Sequence, residues 1–113
     1  MGYKDEEKRT VLKRLIWREY EKYCMYLKRE DLMRVGGWLG VLIPDGLNRE
    51  AIFDHLYQSV GFKEFIEALS READERITER EKLIAQLGGG AEAFKNDITK
   101  LQAFLLAVRN LAH

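Results

Sequence analysis

Residues 62–113 read FKEFIEALSREADERITEREKLIAQLGGGAEAFKNDITKLQAFLLAVRNLAH, and the reading of this stretch decides the fold. After the glycines, Phe94, Ile98, Leu101, Leu105, Val108 and Ala112 recur at helical spacing and form one apolar stripe. Before them, Phe62, Ile66, Leu69, Ala73, Ile77, Ile84 and Leu87 trace a similar stripe. Gly88-Gly89-Gly90 separates the two, and glycine readily takes the left-handed conformation that ends a helix. So short a connection predicts two helices folded back antiparallel, stripe against stripe.

Working outward, Gly61 ends a shorter helix that carries Ile52, Phe53, Leu56, Tyr57 and Val60, with Asn48 as its N-cap. Pro44-Asp45-Gly46 is a turn signal. From Glu30 to Ile43 the pattern is mixed. Asp31 is placed to cap a short helix, Gly36 and Gly37 weaken or end it, and Trp38–Ile43 reads as helical or irregular, since a lone strand has nothing to pair with. Before that, residues from about Asp5 to Arg29 predict one long helix, with Leu12, Leu15, Ile16, Tyr20, Tyr23 and Leu27 on one face. Acidic residues open it and Lys28 and Arg29 close it, as the helix dipole favours. Trp17, Met25 and Tyr26 lie off that face, so more than one neighbour is expected. The expected architecture is all-α: a small helical bundle with a long N-terminal helix and a C-terminal antiparallel hairpin, residues 1–113 forming one domain.

Charge narrows the function classes. The 19 basic residues are balanced by 19 acidic ones, which argues against a protein that works by general attraction to nucleic acid or anionic membranes. Cys24 is the one cysteine, so neither an internal disulfide nor a cysteine metal cluster is expected, and a reducing compartment, the cytoplasm, fits. The N-terminus has no apolar run of signal-peptide type, and Leu32–Ile43, interrupted by Arg34, is too short to span a bilayer.

Candidate chemistry is sparse. His55 and Cys24 are read as structural residues, and His113 ends the chain. Asp74, Glu75 and Glu79 read as a solvated helix face, because no histidine stands at metal-ligand spacing. Gly88-Gly89-Gly90 lacks the lysine and hydroxyl of a phosphate loop. No enzyme activity, metal or cofactor is therefore expected. Glu67 with Arg71, and Glu72 with Arg76, predict ion pairs along the long helix.

Residues Arg80 to Lys95 lead through the glycines into Ile98-Thr99-Lys100-Leu101-Gln102-Ala103-Phe104-Leu105. This charged helix, glycine break and second helix with an aromatic near its start resembles the small helical-hairpin structural and assembly proteins of tailed phages. The resemblance covers roughly the last third of the chain and rests on residue types rather than on a motif. Thr99 and Lys100 stand where that family commonly has a glycine. It implies a virion or assembly component without enzymatic activity.

Two functional expectations follow from the residues. The last helix is apolar beyond its stripe, at Phe104, Leu106, Ala107 and Leu111, and one antiparallel partner covers only part of that circumference. Either the first helix or a second copy covers the rest. Phe104, Leu106 and Leu111 are the interface candidates of a non-catalytic protein–protein interaction module that self-associates as a homo-oligomer. The alternative is a nucleic-acid-associated helical protein using Arg14, Arg18 and Lys22, a basic row flanked by Trp17 and Tyr26. Glu19 and Glu21 intersperse that row and dilute its charge.

Overall fold

A computed structural model describes residues 5–112, with side chains from Glu6 onward; the chain's first four residues and His113 lie outside it. Among the described residues there are helices and no strands. They are α1 (Asp5–Lys13), a π-helical turn (Arg14–Arg18), α2 (Tyr20–Tyr23), α3 (Arg29–Leu39), α4 (Arg49–Leu87) and α5 (Glu92–Leu111). The all-α bundle and its C-terminal hairpin follow the sequence pattern. α5 lies antiparallel along the second half of α4, joined by Gly88–Ala91, and Leu69, Ala73, Leu101 and Val108 are buried in the seam.

α4 starts where Asn48 accepts a hydrogen bond from the Ala51 amide at 2.9 Å. It breaks at Gly61, whose φ of 83° and ψ of 177° fit glycine and almost nothing else, and resumes at Phe62. Gly61 therefore acts as the sequence suggests, and the rod is two helices in series. Phe53, Phe65 and Tyr57 gather beside the break, and Trp17 adds an edge to Phe53 with ring centres 5.5 Å apart.

The N-terminal region departs from the expected single helix. A π turn takes more residues per turn than an α-helix, which lets the consecutive residues Leu15 and Ile16 both turn inward. The helix then stops at Cys24, left-handed at φ 54°, and residues 25–28 follow without regular structure. This reversal buries Met25 and Leu27 completely and lets the Trp17 indole N–H donate to the Leu27 carbonyl at 2.9 Å. Tyr20, expected on the buried face, is shifted outward and is 39% exposed.

α3 continues through Gly36 and Gly37 and ends at Gly40, left-handed at φ 69°. Its first turn is held by the Asp31 carboxylate, which accepts from the Lys28 amide at 2.8 Å. The two glycines are not equivalent. A β-carbon on Gly36 would sit 2.6 Å from the Ile43 Cδ1, so the bare backbone is what Ile43 packs on, whereas one on Gly37 would meet nothing within 4 Å. Gly37→Ala is expected to raise stability by about 1 kcal/mol through helix propensity alone, and Gly36→Ala to forfeit that gain. Paired thermal melts compare the two directly.

Candidate interaction surface

Three features of the folded chain carry chemistry: an ionic cluster between α3 and α4, a groove beside Cys24, and the open side of the hairpin. The cluster centres on Glu72, buried to 1% exposure on α4. A carboxylate out of water needs partners, and two guanidinium groups supply them. Arg34 of α3 donates from Nε and Nη2 to the two carboxylate oxygens at 3.1 and 2.5 Å, and Arg76 Nε donates at 3.2 Å. Asp31 closes the ring, 2.8 Å from Arg34 and 3.2 Å from Arg76. The hydrogen bond to Glu72, above all, raises the pKa of Arg34. Two carboxylates and two guanidinium groups cancel, so this is a clasp between helices. Of the two pairs expected along α4, Glu72–Arg76 forms; Arg71 instead lies over the Trp38 ring, 4.8 Å from its centre.

Beside the clasp, a groove of about 410 Å³ is lined by Tyr20, Glu21, Cys24, Tyr26, Arg76 and Lys100. Burial, and after it the neighbouring Asp97 carboxylate, raises the Cys24 thiol's pKa, while Arg80 and Arg76 pull the other way. The result is a thiol kept protonated and a weak nucleophile. The His55 ring points elsewhere: its Nε2–H donates to the Leu42 carbonyl at 2.9 Å and pins the loop after α3. Among the described residues, no group of three or more His, Cys, Asp or Glu side chains converges as metal ligands.

The basic row is broken up. Arg14 donates to Glu19 at 3.0 Å and the Lys22 ammonium lies over the Tyr23 ring, while Arg18 is exposed. The π turn and the break at Glu19 remove the regular four-residue spacing that would have aligned the three. Trp17 and Tyr26, which were to stack bases, instead hold Arg49 between them, 5.1 and 5.4 Å from the ring centres, and Arg49 also donates to the Tyr26 hydroxyl.

The interface candidates on α5 divide. Phe104 is fully buried and Leu111 is 6% exposed, so both belong to the chain's own core rather than to an exposed interface. Phe104 meets Tyr23 edge to face with ring centres 6.2 Å apart, and Leu111 lines a shallow groove together with Val11, Leu15 and Tyr23. The first helical region, rather than a second copy, covers that flank. Only Leu106, 60% exposed, remains on the outside.

α3 meets the hairpin through Glu72 and Arg76, and α2 meets it through Phe104 and the Arg80–Asp97 pair beside Cys24. On the side of the hairpin away from α2 and α3, helical spacing sets Ile77, Ile84, Phe94, Ile98 and Leu105 along the edge of the α4–α5 seam; all five are half-buried, and Ile77 and Leu105 also pack against the core. At one end of this side, Ile66, Asp74 and Arg109 border a groove of about 520 Å³. No helix among the described residues is long and apolar enough to cross a membrane. No family model, no curated protein and no solved structure matches this chain.

Proposed function

We propose that this chain is a non-catalytic protein–protein interaction module that self-associates through the open side of its C-terminal hairpin. The observation that carries the reading is the row Ile77, Ile84, Phe94, Ile98 and Leu105, which stays only half-buried after the described helices have packed on α4 and α5. Two-layer packing is how helices normally bury such a row, and a second hairpin supplies the missing layer. The likeness of the hairpin to phage assembly proteins agrees with an assembly role, in a virion or in the cytoplasm.

Light scattering after gel filtration tests the reading. The expected mass is twice the 13.2 kDa of one chain. Leu106 stands at the edge of this side and is expected to contribute: Leu106→Gln should shift the particle toward the single-chain mass with helix content unchanged. A wild-type mass of one chain at every concentration up to the millimolar range would refute self-association.

A further inference from the structure

The rims of the open hairpin face carry charge in a pattern that specifies how two copies dock. On α4 the rim holds Glu67, Asp74 and Glu81, seven residues apart; on α5 it holds Lys95, Gln102 and Arg109, also seven apart. Seven residues are two turns, so each set forms a straight row beside the apolar seam. All six are exposed. Glu67, Asp74, Glu81 and Arg109 form no ion pair with any described residue, and Lys95 has only a 3.6 Å contact with the exposed Glu92. Arg109 shares a groove with Glu67 and Asp74, and also with Arg71, which places this end of the two rows on the same side of the hairpin; the seven-residue spacing carries the rows along it. The Arg80–Asp97 pair fixes the level of the two helices. Counted from it, each acidic residue lies within about 3 Å along the axis of one residue of the α5 row: Glu81 with Lys95, Asp74 with Gln102, Glu67 with Arg109.

We infer that a second copy of this chain docks face to face about a two-fold axis parallel to the helices, so that each α4 lies antiparallel over the partner's α5. This rests on the self-association proposed above and adds its geometry. That rotation keeps every residue at its own level and carries the acidic rim over the basic rim. Glu81 then faces Lys95 of the partner subunit and Glu67 faces Arg109 of the partner subunit, with the two apolar rows sealed between them. A two-fold axis across the helices would instead set α4 on α4 and oppose carboxylate to carboxylate, which is repulsive. Leu106 neighbours Gln102 and Arg109 on the helix surface and falls at the edge of the same contact. The product is a four-helix bundle with like helices on its diagonals.

Charge reversal in the full chain tests the arrangement. One variant carries Glu67→Lys, Asp74→Lys and Glu81→Lys; the other carries Lys95→Glu and Arg109→Glu. Sedimentation is expected to give a wild-type dimer that weakens with added salt, and each variant alone should associate on the order of a hundredfold more weakly, since attraction becomes repulsion at four ion pairs. An equimolar mixture of the two variants should recover the dimer, because each then meets the complementary rim. Circular dichroism checks that both are folded; if either is not, neutral substitutions (Glu67→Gln with Glu81→Gln, and Lys95→Gln with Arg109→Gln) replace the reversals and should weaken the dimer about tenfold. A wild-type dimer that tightens with salt, or variants that dimerise as well as the wild type, would overturn the docking geometry while leaving self-association standing. A wild-type monomer at every concentration would overturn both.

Discussion

Glu72→Ala is expected to destabilise the chain by about 3–5 kcal/mol, a large share of the roughly 5–15 kcal/mol that holds a domain of this size folded. The reason lies with what the change leaves behind. Arg34 and Arg76 both converge on the Glu72 carboxylate at 1% exposure, and without it two guanidinium groups confront each other with only Asp31 between them. Arg34 is half exposed and can retreat into water, which moderates the loss; Arg76, at 17%, cannot. Arg34→Met in the Glu72→Ala background should therefore return part of the stability, because an apolar pair replaces the broken ionic one. Urea melts of the three proteins measure this. The raised pKa of Arg34 adds no pH dependence in practice. A cation whose folded pKa lies above its unfolded value stabilises at every pH below the unfolded value, and loses that contribution only as pH rises beyond the ordinary arginine range.

Phe104→Asn combined with Leu111→Asn is expected to unfold the monomer rather than to release a partner. Phe104→Ala alone typically costs about 3–5 kcal/mol at a fully buried phenylalanine. Adding a second polar group at Leu111 leaves amides without partners between α5 and the π turn. Far-ultraviolet circular dichroism should report loss of helix at 25 °C. Retained helix content together with a smaller particle mass would return both residues to an interface and contradict their burial. The contrast with Leu106→Gln, which should change the particle mass and keep the helix content, separates the two sides of one helix.

The pairing of these residues explains what the sequence could disclose. Local signals were legible: the Asn48 cap, the break at Gly61, and the hairpin across Gly88–Gly90 each depend on residues within a few positions of one another. The stripe on α5 reads Leu101 and Val108 correctly as buried, but it places Leu105 and Ala112 where Phe104 and Leu111 are the buried residues. Its buried residues are Leu101, Phe104, Val108 and Leu111, because α5 serves two neighbours and its apolar sector widens toward Tyr23. Gly36 and Gly37 looked like a helix end, but Ile43, later in the chain, needs that bare backbone and keeps the helix going. The end of the first helical region at Cys24 had no signal, since a left-handed cysteine is neither glycine nor asparagine. Nor did the Arg34–Glu72 contact, which joins residues 38 positions apart. On the candidate surface, periodicity marks Ile77, Ile84, Phe94, Ile98 and Leu105 as residues that meet between the two helices, whereas the structure leaves them only half-buried.

The brief Gly88–Ala91 connection has a consequence for the route by which the chain folds. Closing so small a loop costs little entropy, so α4 and α5 can meet while the rest of the chain is still searching. Docking Tyr23 on Phe104 must span some eighty residues and comes late. Weakening the seam, as in Ile77→Val, should therefore slow refolding, whereas Tyr23→Leu should chiefly speed unfolding, a division that stopped-flow chevrons would read. On that route the nucleus is the hairpin itself, and its apolar side is in water before the N-terminal helices have arrived, so the pairing of copies proposed above would not have to wait for either chain to finish folding.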